Sequence, residues 1–318
     1  MPLFPNSSNG NESLIGFDGN RDFIEKGIMS GIRGDGRSPL DQRPYILETG
    51  IVTQASGSCR VCVDEQTDVL VGVKAQVGDV NTGSNAVEST EESEGNNGLN
   101  GRIECSVECS KSAILSSVDQ FQTSQMCNEY SQTLNRLLNG SHGGVDLQKL
   151  CIVPGSTCWV LNVDILILDD GGNLLDVIMM AIRGALFNTR LPKCVVEQVD
   201  GRWAFEIGDE ETEPLTGVEN VPFAVTLHKI AQCFVVDATP LEQLASECRV
   251  AFFLNSNANV CGIQKSGSGA VDSGILLQMI ETGSTISSTL FPRFDKLLRT
   301  EEKKRLTHQE PIGYRSRG

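Results

Sequence analysis

From Cys158 to Arg190 the chain reads as a strand, a tight turn and a helix, and this succession constrains the fold more than any other stretch. Trp159, Leu161, Val163, Ile165 and Ile167 alternate on one face of a strand over Cys158–Leu168. After Asp169-Asp170-Gly171-Gly172, the residues Leu174, Val177, Ile178, Ala181, Ile182, Ala185 and Leu186 fall at helical spacing and make a complete apolar stripe. A Gly-Gly turn feeding a helix is a ready anion site, because free backbone N–H groups and the helix dipole point outward there. Here Asn173 is the expected N-cap, but Leu174, Leu175 and Asp176 follow, so a phosphate would meet two apolar side chains and a negative charge. The scaffold of an anion site is present and its chemistry is missing.

The rest of the chain sorts around this unit. Residues 1–18 read as a flexible leader and Arg21–Ser30 as a short helix ending at Gly31. Arg43–Val77 alternates in short β-rich runs broken at Gly57-Ser58 and Asp64–Asp68, the pattern of an antiparallel meander. Gly78–Gly101, rich in Asn, Ser, Gly and Glu, is an acidic insertion too polar to order itself, and pairing is expected to resume at Ile103–Cys109. A helix is predicted over Phe121–Asn139. Strands are predicted at Cys194–Val199, Trp203–Ile207 and Phe223–Val236, then a hairpin over Arg249–Ile263 and a helix over Ile275–Leu290 stopped near Pro292. Glu301–Gly318 reads as a loose charged tail. Strands, helix, strand, helix and then a similar block predict an α+β protein of two related halves, 19–190 and 191–300.

Composition excludes several functions. A formal charge of −15 over 318 residues is the wrong sign for a protein that grips nucleic acid alone over a broad surface, so any RNA contact must use a few placed cations or a surface shared with partners. No apolar run reaches membrane-spanning length and the N-terminus is polar, which predicts an intracellular protein with no membrane partner. The eleven cysteines are then expected to be reduced thiols used as small hydrophobes. Cys59 and Cys62 have C-x-x-C spacing, with Cys105 and Cys109 available to complete a zinc set, but on a strand that spacing puts the first pair on opposite faces. No metal and no cofactor is predicted. Ser266-Gly267-Ser268-Gly269 lacks the spacing and lysine of a nucleotide loop and reads as a turn, and His142, His228 and His308 sit in no triad or ligand pattern.

Over residues 20–295 the chain resembles the RNase PH family, on Arg33-Gly34-Asp35-Gly36-Arg37, Gly57-Ser58, the run Thr67–Lys74 and Gly171-Gly172 before the central helix. Gly171–Asp176, Ala185–Arg190, Glu219–Pro222 and Val235–Thr239 are similar to its eukaryotic exosome ring subunits. The resemblance implies an RNase PH-like fold in a six-membered ring of such chains, seating cap proteins with OB and KH folds and passing single-stranded RNA. It further implies work in the nucleus and nucleolus and also the cytoplasm. Active members attack the RNA 3′ end with phosphate, which takes an arginine and a hydroxyl at the helix N-terminus and a carboxylate pair for metal and leaving group. The matching positions here are Asn173 and Leu174 for the phosphate site, and Gln243 and Arg249 for the two carboxylates, with Glu242 and Glu247 as the nearest substitutes. The resemblance therefore implies a ring subunit without an active site; an active phosphorolytic exoribonuclease and a free-standing RNA-binding module are the alternatives. Arg33, Arg37, Arg60 and Arg136 are the candidates to touch RNA, each with a structural role in competition: a paired turn for Arg33 and Arg37, a solvated strand face for Arg60, a helix C-terminus for Arg136.

Overall fold

A computed structural model describes residues 21–80, 100–110, 120–199 and 202–307. The predicted leader, most of the acidic insertion and the end of the tail lie outside these residues. Helix α1 covers 21–29. The first sheet contains β1 (Tyr45–Thr49), β2 (Gly57–Val63), β3 (Thr67–Asp79), β4 (Arg102–Cys109), β5 (Cys151–Val153) and β6 (Thr157–Asp169), in the order β1-β2-β3-β6-β4 with β5 paired to β6. The first three strands form the predicted antiparallel meander. Pairing resumes at β4, but against β6 and in parallel, so β6 lies between β3 and β4. Helix α2 (Gln120–Leu138) is the crossover this parallel pair requires, and it packs on β4 through Tyr130, Leu134, Leu137 and Leu138.

A ribbon of β7 (Arg190–Val199) and β8 (Arg202–Pro214) leads to the second sheet, β10-β9-β11-β12, from β9 (Phe223–Ile230), β10 (Cys233–Val236), β11 (Cys248–Leu254) and β12 (Val260–Ser266). Between the sheets lies α3 (Leu174–Asn188), against β2 and β3 on one side and β9 on the other. Sandwiching explains a departure from the stripe read in the sequence: of the helix's fifteen residues all but Phe187 are buried. A helix enclosed by two layers needs no solvent face. Gly184 marks a close approach, where a β-carbon would strike Cys59.

The last helix differs more. A short helix, α4 (Pro240–Ala245), precedes β11, and α5 runs from Ser273 to Leu306 with Pro292 inside, well past the predicted stop. An internal proline costs about 3 kcal/mol through its missing N–H and its ring. Phe291 and Phe294 offset that cost, meeting the Phe223 ring edge-on at 4.4 and 5.0 Å, while Leu290 and Leu298 are buried alongside. The expected loose tail is helical through Leu306, held by buried Glu301 and by a 2.7 Å pair between Arg190 and Glu302.

All eleven cysteines are free. Cys59 and Cys62 lie on β2 and Cys105 on β4, three strand positions away across β3 and β6, roughly 14 Å at sheet spacing. That separation rules out one tetrahedral site for the set.

Candidate functional site: the cleft at the Gly-Gly turn

The Gly171-Gly172 turn sits where the two sheets meet, and a buried ionic network holds it there. Gly172 has φ 89° and Asn173 φ 56°, so two successive residues are left-handed, and a β-carbon on Gly172 would lie 2.6 Å from the Ala238 carbonyl oxygen. Arg43 bridges the halves: its guanidinium donates to the carbonyls of Gly171 (2.9 Å) and Gly172 (3.1 Å) and to both carboxylate oxygens of Asp237 (Nη2–Oδ1 2.7 Å, Nε–Oδ2 3.0 Å). Its backbone N–H adds a 2.7 Å bond to the same carboxylate. Asp237 itself has φ 50°. Burial alone would push its carboxyl up, yet the hydrogen bonds and charge of Arg43, joined by the charge of Arg37, hold it below the usual carboxylate range.

Asn173 departs from the expected capping role. It occupies the N-cap position of α3, but its side chain caps nothing and instead donates to Asp176 (2.9 Å) and Asp237 (3.2 Å). The left-handed backbone turns the side chain away from the N–H groups it would otherwise accept from. Asp176 also accepts from the Thr226 hydroxyl (2.6 Å) and N–H (3.0 Å) on β9, so the first turn of α3 is tied to the second sheet by a carboxylate. Complete burial pushes its carboxyl up to about 7, against the opposing pull of these donors.

The four positions matched to a catalytic centre do converge. Asn173, Leu174, Gln243 and Arg249 line one cavity of about 20 Å³, with Tyr130, Thr226, His228 and Gln264 completing its wall. That space suits a single water and not a four-oxygen anion. Leu174 is 4% exposed and belongs to the core cluster, which explains why an apolar side chain stands there. The cavity is polar even so: Asn173 Oδ1, both ring nitrogens of His228 and Gln264 Oε1 are buried with no hydrogen-bond partner in the protein. Burial, reinforced by the Arg249 charge, drives His228 down to about 3, so its imidazole is neutral. No motif marks His228, Tyr130 and Gln264 as neighbours, because they come from three elements distant in the chain.

The two nearest carboxylates are engaged with cations. Glu242 is buried and takes both edges of the Arg33 guanidinium, at 2.6 and 2.8 Å, while closing a capping box on Thr239 at the start of α4. Glu247 pairs with Lys229 at 2.9 Å. Among the described residues, no group of His, Cys, Asp and Glu is arranged to hold a metal ion.

The arginine candidates separate by burial. Arg33 is 2% exposed, and beyond Glu242 it donates to the carbonyls of Val236 and Asp237, both at 2.9 Å; this corrects its placement among RNA contacts, since a buried guanidinium so fully paired has no donor to offer. Arg37 is spent likewise on Asp35 (2.7 Å) and Asp237 (3.0 Å). The Arg33–Arg37 turn thus fastens the N-terminal segment to the second half, a role whose acceptors lie two hundred residues away and are invisible locally. Arg60 projects from β2 and pairs with Asp68 on β3 at 2.5 Å, a strand-face ion pair that raises its pKa. Arg136 stands exposed in the last turn of α2.

Comparison with known proteins agrees with this architecture. The 3′ exoribonuclease family matches in two parts, its domain 1 over residues 41–192 and its domain 2 over residues 220–286. A Dictyostelium discoideum protein named as a candidate exosome complex exonuclease RRP42 is 33% identical, covering 87% of this chain and 96% of its own length. The exosome complex component Rrp42 of Methanopyrus kandleri is 30% identical over 80% of this chain and 87% of its own. Among solved structures, a chain of an Archaeoglobus fulgidus exosome with RNA bound to the active site superposes with a TM-score of 0.70 at 25% identity, covering 88% of this chain and 99% of that one. A chain of an archaeal exosome core gives 0.69 at 26%, covering 88% and 98%. With both domains matched and the two-sheet fold shared, the chain belongs to the RNase PH family of 3′ exoribonucleases, among its Rrp42-type members.

Proposed function

We propose that this chain is a non-catalytic ring subunit of an exosome, shaping the channel through which single-stranded RNA reaches a 3′–5′ exoribonuclease in another subunit. One observation carries the reading: the cavity at the Gly-Gly turn holds Leu174, Gln243 and Arg249 where phosphorolysis needs an arginine and two carboxylates, and it has room for one water. Phosphoryl chemistry rests on positioned charge, and a cavity this small with no carboxylate among its lining residues supplies no site for metal or leaving group. Its partners are other RNase PH-like chains in a six-membered ring and cap proteins with OB and KH folds. An acidic protein can serve an RNA channel in this way because the ring, and not the single subunit, supplies the cationic lining. Exposed Arg136, and Arg60 from its strand-face pair, are the side chains proposed to meet RNA. The complex is proposed to work in the nucleus and nucleolus, and also in the cytoplasm.

The test is enzymatic and structural together. The purified chain is mixed with single-stranded RNA and inorganic phosphate, and nucleoside diphosphate release is followed; separately it is mixed with its ring and cap neighbours. No release and entry into one hetero-oligomer is the expected result. Phosphate-dependent release by the chain alone, or a stable active homo-oligomer, overturns it.

A further inference from the structure

The β7–β8 ribbon leaves a long apolar face uncovered. Cross-strand register puts Cys194 opposite Ile207 and Val196 opposite Phe205, with Trp203 following on the same face; Trp203 is 57% exposed, and Val196, Phe205 and Ile207 lie between 36% and 38%. The opposite face is mixed, with two exposed carboxylates beside an exposed valine: Glu206 stands across from Val195, 53% exposed, and Glu197 across from Ala204. Where the ribbon meets the body, the apolar stripe continues into a groove of about 280 Å³ walled by Ile152 and Trp159. The lysines at its rim are already paired, Lys193 with Glu211 at 3.0 Å and Lys149 with Asp146 at 3.7 Å, and the two strands carry six acidic residues against three basic ones, so the ribbon is net negative. β8 is long, and its outer edge has no strand beside it among the described residues. β7 carries Pro192, which blunts its own edge; β8 reaches Pro214 before it meets a proline.

An extended, apolar, unpaired edge is a template for another strand and is normally covered. Added strands alternate their side chains between the two faces with a period of two. We propose that the outer edge of β8 docks an extended segment of a partner protein in which apolar residues alternate with lysine or arginine, the apolar set meeting Phe205 and Ile207 and the cations meeting Glu206. Charge decides the class of partner: the carboxylate face repels RNA phosphates and any acidic surface. This inference rests on the ring-subunit reading and names one of its contact faces.

The experiment installs the photo-crosslinking residue benzoylphenylalanine in place of Phe205 in the full chain, assembles it with its ring and cap neighbours, and maps crosslinks by mass spectrometry. The expected result is a crosslink into an alternating apolar and basic segment of one neighbour. Alongside it, the E197K/E206K variant, at exposed positions and with an unchanged denaturation midpoint, is expected to assemble on the order of tenfold more weakly. An assembled complex with no crosslink at this position, or with one to RNA or to a second copy of this chain, overturns the docking face and leaves the ring reading intact. Failure of the unaltered chain to assemble overturns the ring reading, and the docking face with it.

Discussion

Replacing Arg43 with methionine removes the guanidinium that ties the Gly171-Gly172 turn to Asp237 while keeping an unbranched side chain in the same space. Four side-chain hydrogen bonds are lost, two to carbonyls of the turn and two to the carboxylate. Asp237 keeps the Arg43 N–H, Arg37 and Asn173, but loses its closest counter-charge at a position 3% exposed. Breaking one partner out of a buried ion pair costs about 3–5 kcal/mol, mostly the price of the charge left behind. The double variant R43M/D237N removes both charges while asparagine tolerates the left-handed backbone and still accepts from Arg37 or Asn173, and it is expected to recover part of that loss. Urea denaturation at pH 7 of the unaltered protein, both single variants and the double variant measures the cycle. The pH dependence is a second readout. The folded Asp237 pKa lies below the unfolded value of about 3.9, so its contribution is present above that value and is lost as pH falls through the folded pKa. In R43M burial acts on the carboxylate with less opposition, so the acid limb of the stability curve moves to higher pH. A loss under about 1 kcal/mol for R43M, or strict additivity in the cycle, would refute the claim that Arg43 holds the two halves together.

Three further outcomes follow from the same geometry. L174R alone is expected to show no phosphate-dependent nucleoside diphosphate release and to lower the denaturation midpoint, because the position is buried and Gln243 and Arg249 still supply no carboxylate. Asp176 titrates near 7 when folded against about 3.9 unfolded, so its contribution is fully present below about pH 4 and declines as pH rises toward 7; the midpoint difference between the unaltered protein and D176N, followed across that window, should shrink. Arg183, 2% exposed, donates to the Val218, Glu219 and Val221 carbonyls, pairs with Asp295 at 2.8 Å and stacks over Phe291 at 4.7 Å. R183M should cost about 3–5 kcal/mol by thermal or urea unfolding, and R183K should not rescue it, since an ammonium cannot span that set of acceptors.

Periodicity exposed the strand–turn–helix unit, the meander and the hairpin, because each is set by residues within a few positions of one another. It misjudged α5, where Pro292 argued for a stop: the Phe223 ring that rewards continuation lies on another sheet. It also read α3 as one-sided, since a stripe at helical spacing says which face must be buried and not whether the other face is buried too. For the cleft, the sequence determined by itself which side chains, Asn173, Leu174, Gln243 and Arg249, stand at the four positions and what charge each carries. Tertiary structure alone decided what those positions became. It brought Asn173, Leu174, Gln243 and Arg249 around a cavity the size of one water, and it turned Arg33, Arg37 and Arg43 inward onto Glu242 and Asp237. Residue identity is local, but whether a charge faces RNA or a buried carboxylate depends on which distant backbone the fold places beside it.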